Sequence, residues 1–158
     1  MIPHQPILSR PTVESIREEL KAELLNGEMC LHNLVEEVVV GAMGVNNAMR
    51  HIRPGVLLIT PGDREDIILA TATAVGLDGG PSLAGVVLTG DLRPSERVLG
   101  IIRKLPFPVL LAGEDSYQVA SKVHDLIVKT HPDDTEKIAL IRDLIGEHVE
   151  VGRILKAL

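Results

Sequence analysis

Apolar residues along this chain come in two rhythms. Short, nearly continuous runs of β-branched and aliphatic residues alternate with longer stretches in which apolar positions recur every three or four residues. The first rhythm predicts strands buried on both faces, and the second predicts helices with one apolar side. Strands are predicted within 35–42, which contains Val38-Val39-Val40, and over 56–60, 83–88 and 108–112. Helices are predicted over 45–52, from Asp63 through Ile67, Ile68, Ala70, Ala72 and Ala74, over 95–105 and over 116–128. Arg53-Pro54-Gly55 and the segment from Gly76 to Pro81 read as breaks between them. Strand and helix thus alternate four times, which defines an α/β protein with a parallel or mixed sheet covered on both faces.

The flanks add elements outside this alternation. Pro3, Pro6 and Pro11 make residues 1–11 an extended lead-in. Thr12 is placed to cap a helix over 13–20 whose inner face is Val13, Ile16 and Leu20. A short strand is expected before the Asn26-Gly27 turn. A last helix over 135–145 follows Asp133-Asp134 and carries Ile138, Ile141, Leu144 and Ile145 on one side. Residues 150–158 form a short amphipathic tail, so residues 12–149 are expected to be a single domain.

Composition narrows the function classes. At 158 residues the chain can bury a core without metal or disulfide support. Phe107 and Tyr117 are its only aromatic residues, so the core is expected to be Leu, Ile, Val and Ala. A net charge of -6 argues against a nucleic-acid backbone as partner, and the scarcity of aromatics removes the usual platform for stacked bases. Cys30 stands alone, so neither an internal disulfide nor a cysteine-based zinc cluster is available. The six histidines lack metal-binding spacing, and no metal or cofactor is expected. No apolar run is long enough to span a bilayer, and the first residues lack the apolar core of a secretory signal, which points to the cytoplasm with no membrane partner.

Candidate chemistry sits where strands turn into helices. Val56-Leu57-Leu58-Ile59-Thr60 runs into Pro61-Gly62-Asp63-Arg64, and Val86-Val87-Leu88 runs into Thr89-Gly90-Asp91. Loops leaving the carboxyl ends of strands line the ligand crevice of open α/β sheets. Gly62, Asp63, Arg64, Thr89 and Gly90 are therefore the candidate ligand-binding residues, with no catalytic residue assigned. A helix start and a guanidinium together suit an anion. Against this, Asp63, Glu65 and Asp66 share the first turn with Arg64, and acids there also satisfy the helix dipole. Asp63 reads more readily as a helix cap than as a ligand contact. No nucleophile elbow, phosphate loop or dinucleotide fingerprint occurs in the chain. An acid-base pair made from Asp63, Asp66 or Asp91 with a histidine is the weakest reading, because such work needs a cleft that perturbs those groups.

The same residues carry a family resemblance. Asp63-Arg64 and Thr89-Gly90 match the two short motifs of the DRTGG domain, with Asp91 in place of the final glycine. The stretch from Arg53 to Thr60 and the later Pro132 to Ile138 resemble the copy of that domain in the middle of long bacterial phosphotransacetylases. The Ile2-Pro3 start and Pro11-Thr12-Val13 resemble the segment that follows a P-loop, dethiobiotin-synthetase-like domain. The resemblance implies a three-layer α/β/α fold similar to the amino-terminal domain of HPr kinase/phosphorylase. It also implies a regulatory rather than catalytic role, since neither catalytic neighbour lies within these residues.

The expected function is a non-catalytic regulatory module sensing a small metabolite or nucleotide and modulating a P-loop or acetyltransferase partner chain. The alternative is a structural oligomerisation or docking domain without a ligand. In either case a homo-oligomer is expected, with a dimer favoured by the apolar stripe of the last helix and by Ile154, Leu155 and Leu158 of the tail.

Overall fold

A computed structural model of the chain describes residues 10–76, 82–126 and 138–143. The elements in order are α1 (Val13–Leu20), β1 (Glu23–Asn26), a 3-10 turn (Glu28–Cys30), β2 (Glu37–Val40), α2 (Val45–Met49), β3 (Val56–Pro61), α3 (Glu65–Gly76), β4 (Gly85–Thr89), α4 (Glu96–Ile102), β5 (Val109–Leu111) and α5 (Ser116–His124). Residues 138–143 are helical as well, within the span expected for the last helix. The lead-in before Arg10, most of the Gly76 to Pro81 break, the rest of the last helix and the tail lie outside the described residues.

The five strands form one sheet in the order β1-β5-β4-β3-β2. Strands β2 to β5 are parallel neighbours, and β1 closes the far edge antiparallel to β5. The sheet is therefore mixed. Because β2, β3, β4 and β5 follow one another in space as in sequence, right-handed crossovers place all three connecting helices on the same face. The core confirms this. Ala48 of α2, Ile67, Ile68 and Val75 of α3, and Val98, Leu99 and Ile102 of α4 pack with Val39, Val56, Leu58, Val86, Leu88, Val109 and Leu111. On the other face, Val13, Ile16 and Leu20 of α1 and Val119 and Val123 of α5 cover Leu57, Ile59, Val87 and Leu110.

Alternation of two along each strand divides the residues between the faces. Leu57 and Leu58 are both fully buried, yet they belong to different cores. Truncation of either to alanine is expected to cost about 2–5 kcal/mol. Such double-sided burial explains why the strands read as continuous apolar runs rather than as alternating ones. It also makes the molecule a three-layer α/β/α sandwich.

Helix starts follow sequence chemistry closely at two places. The Thr12 hydroxyl accepts from Ser15 N–H at 3.2 Å while Ser15 Oγ accepts from Thr12 N–H at 3.0 Å, a reciprocal capping box. Asp115 and Gln118 repeat that arrangement at α5. The Asp63 cap expected for α3 is not made. The helix begins at Glu65, two residues later, and the Asp66 carboxylate in its first turn pairs with Arg64 just ahead of it.

Candidate functional site

The parallel strands end along one edge of the sheet, and the candidate residues lie there. Pro61 of β3 is in register with Thr89 of β4, so the two signature turns are neighbours. Gly62 N–H donates to the Thr89 carbonyl at 3.2 Å and fastens one turn to the other. Convergence of Gly62, Asp63, Arg64, Thr89 and Gly90 at one place follows directly from this register.

Gly62 owes its identity to a close approach. A Cβ at this position would lie 1.6 Å from the Leu92 carbonyl oxygen, which no relaxation of a side chain can relieve. The chain leaving Thr89-Gly90-Asp91 folds back over Gly62, so only glycine fits beneath it. At the second turn the reason differs. Gly90 has φ of +79° and Asp91 has φ of +53°, two consecutive left-handed residues that reverse the chain sharply. A glycine suits the first of these, and an aspartate is among the few side chains that tolerate the second.

Arg64 is the cation of the site. Its Nε donates to Asp66 Oδ1 at 2.9 Å and its Nη2 to Asp66 Oδ2 at 3.0 Å, a two-pronged ion pair. Nη2 also donates to the Met43 carbonyl at 3.3 Å, in the Gly41-Ala42-Met43-Gly44 turn that leaves β2. Arg64 therefore ties the end of β2 to the start of α3 while about a third of its side chain remains open to solvent. The hydrogen bond from Arg64 draws the Asp66 carboxyl below the usual carboxylate range, against a smaller opposing effect of burial. The same bond raises the Arg64 guanidinium above its ordinary value, opposed by burial and assisted by the charges of Asp66 and Asp63. Asp63 itself is exposed.

The backbone donors of the second turn are already committed. Gly90 N–H donates to the Glu114 carbonyl at 2.7 Å, and Asp91 N–H to the Ala112 carbonyl at 3.0 Å. The Thr89 side chain is buried, and its hydroxyl lies 2.7 Å from that of Ser116 at the first position of α5. The Gly90 and Asp91 amides therefore serve the fold rather than a ligand. Glu65 also acts within the scaffold, where its Oε1 accepts from Ser95 N–H at 2.6 Å just ahead of α4.

Sequence reasoning missed the third turn of the site, Gly113-Glu114-Asp115-Ser116 after β5. The loops leaving β3 and β4 lead to helices on one face, whereas the loop leaving β5 leads to α5 on the other. The β4 and β5 loops leave toward opposite faces but stay bonded at their base, where Gly90 N–H and Asp91 N–H donate to the Glu114 and Ala112 carbonyls and the Thr89 hydroxyl lies beside that of Ser116. Glu114 Oε1 pairs with Lys122, while its Oε2 is buried without a hydrogen-bond partner among the described residues. The signal for this turn was present in the repeated Gly-acid pattern after a strand, but it lacks the Arg or Thr that marked the other two.

Among the described residues, no group of three or more His, Cys, Asp or Glu is arranged to hold a metal ion. No helix among them is long and apolar enough to cross a membrane.

Fold and site together define an α/β domain whose short motif residues brace the carboxyl ends of its strands. The chain belongs to the DRTGG domain family, whose model matches residues 15–126. It is 31% identical over 157 residues to a phosphate acetyltransferase of Nitratidesulfovibrio vulgaris, and 34% identical over 154 residues to one of Pseudomonas putida. These matches take in 98% and 96% of this chain but 22% of the length of each enzyme. The fold is similar to that of a solved structure, the CBS and DRTGG domains of the regulatory region of Clostridium perfringens pyrophosphatase, complexed with its activator diadenosine tetraphosphate. The TM-score is 0.58 at 22% identity, covering 87% of this chain and 60% of that one.

Proposed function

We propose that this chain is a non-catalytic regulatory module that senses a small phosphorylated metabolite or nucleotide at the carboxyl edge of its sheet. Its partner is a phosphotransacetylase-like or P-loop catalytic unit in the cytoplasm. The observation that carries the reading is the position of Arg64. This guanidinium stands at the ends of β2 and β3, is held by one half-exposed carboxylate, and can exchange Asp66 for a ligand phosphate without baring a buried charge. Such an exchange frees Asp66 in the first turn of α3 and repositions the guanidinium that also holds the Met43 carbonyl, which converts occupancy into a change of shape. The phosphate acetyltransferase relatives support the choice of partner, and the nucleotide activator of the pyrophosphatase region supports the choice of ligand class.

A thermal-shift series with ATP, ADP, diadenosine tetraphosphate, NADH, acetyl phosphate, pyruvate and phosphoenolpyruvate tests the reading. At least one phosphorylated compound is expected to raise the midpoint, and Arg64→Ala is expected to abolish that rise. If none of these compounds stabilises the protein, the sensing role is wrong.

One observation favours a second reading, a structural docking or oligomerisation domain without a ligand. The amides of Gly62, Gly90 and Asp91 and the Thr89 hydroxyl all serve contacts within the fold. Under this reading Arg64→Ala changes stability but no ligand response.

A further inference from the structure

Helices α1 and α5 cap themselves, and α4 does not. Ser95 stands just before α4, yet its hydroxyl makes no capping bond. The residue three places on, which closes the reciprocal box in α1 and α5, is here Val98 and has no side-chain acceptor to offer. The acceptor comes from another helix instead. Glu65 Oε1, in the first turn of α3, accepts from Ser95 N–H at 2.6 Å across thirty positions of sequence.

A second contact fixes the same two segments. The Leu92 carbonyl lies over Gly62, in the turn ahead of α3, close enough to exclude any side chain there. Residues 92–95 therefore form a strap between β4 and α4 that rests on the start of α3 at two points. Arg93 fastens the strap on its other side by pairing with Glu23, which stands beside the end of β5. Contacts thus run across the carboxyl edge of the sheet, from the Met43 carbonyl to Arg64, from Arg64 to Asp66, from Glu65 to Ser95 and from Arg93 to Glu23.

We propose that Glu65 is a coupling residue, a positioning group that makes the start of α4 depend on the first turn of α3, so that a change at the Arg64–Asp66 pair releases the strap. Glu65 lies between Arg64 and Asp66 in the chain, and a rearrangement of that pair turns the backbone that carries its carboxylate. A helix start leaves its first amides without partners inside the helix, so α4 frays at this end when the outside acceptor is withdrawn. The moving parts are the strap and the first turn of α4. The network is one of direct contacts between neighbouring groups, with α4 capped or uncapped as its two states. What drives it rests on the reading of Arg64 as the group that exchanges its carboxylate for a ligand. The coupling itself needs no ligand.

Amide hydrogen exchange followed by NMR on the full chain, with no ligand added, tests the coupling. Glu65→Ala is expected to speed exchange of the Ser95 amide about tenfold while the Val87 and Leu110 amides of the sheet stay unchanged. Glu65→Gln keeps an acceptor oxygen and is expected to restore the protection, which separates the bond from the charge. Asp66→Ala frees Arg64 without altering Glu65. It is expected to speed exchange of the Ser95 amide and of the Leu99 amide, which donates to the Ser95 carbonyl, and to add nothing when combined with Glu65→Ala. Ser95 exchange indifferent to Glu65→Ala, or an Asp66→Ala effect that is absent or equal in both backgrounds, would overturn the proposal. A rise spread evenly through the sheet would overturn it as well, since it would mark a general loss of stability. Because no ligand enters the experiment, such a failure is distinct from a blank thermal-shift series, which removes the sensing role and leaves the coupling standing.

Discussion

The two signature turns look alike in sequence and work differently in the structure. Each places a glycine and an acid after a buried strand. At the first, Gly62 is demanded by a neighbour, since the Leu92 carbonyl occupies the space of any side chain. At the second, Gly90 is demanded by its own backbone, since φ of +79° reverses the chain there. One glycine answers a contact between segments thirty residues apart and the other a local conformation. The difference predicts unequal tolerance of the same mutation.

The sharpest way to break this comparison is to replace each glycine by alanine. Gly62→Ala cannot be relieved without moving the Leu92 backbone, and about 3 kcal/mol or more of stability is expected to be lost in urea unfolding. Gly90→Ala meets only the Leu92 side chain at 3.4 Å, so its cost is the left-handed conformation alone, about 1–2 kcal/mol. Equal losses at the two positions would remove the distinction. Next in size is Thr89→Val, which keeps the buried volume but deletes the hydroxyl bonded to Ser116. About 1 kcal/mol is expected, measured by thermal or urea denaturation.

The smallest effect belongs to the Arg64–Asp66 pair and appears in the pH dependence. Asp66 is drawn below its unfolded value, so the unfolded chain binds its proton more readily than the folded one. The contribution is complete above the unfolded carboxylate range and disappears as pH falls through the lower folded value, in the region below about pH 4. Asp66→Asn is expected to remove this dependence, read as a flatter stability curve between pH 5 and pH 3 by urea titration. A wild-type slope that survives in Asp66→Asn would assign it to other carboxylates.

Much of the fold was legible because the strands announce themselves. The predicted runs 56–60 and 83–88 lie within a residue or two of β3 and β4. Helix ends were less legible. The stretch 95–105 contains α4 at only Glu96–Ile102, and α3 starts beyond Asp63, because helix termini depend on which neighbouring groups take the last amides. The site was half legible. The motif residues do meet at one edge, but a reading that followed motifs alone missed the Glu114 to Ser116 turn. Its relevance arises only from β5 sending its helix to the opposite face.

The sequence by itself determined the class of the fold, its three layers and the family. Local period, turn residues and short motifs are properties of neighbouring residues, and a chain carries them before it folds. The tertiary structure alone decided what each motif residue is for. Whether Gly62 has room for a side chain and whether Gly90 N–H is free depend on groups far away in the chain. Those groups are brought within bonding distance only by the packing of the sheet and its two helical layers.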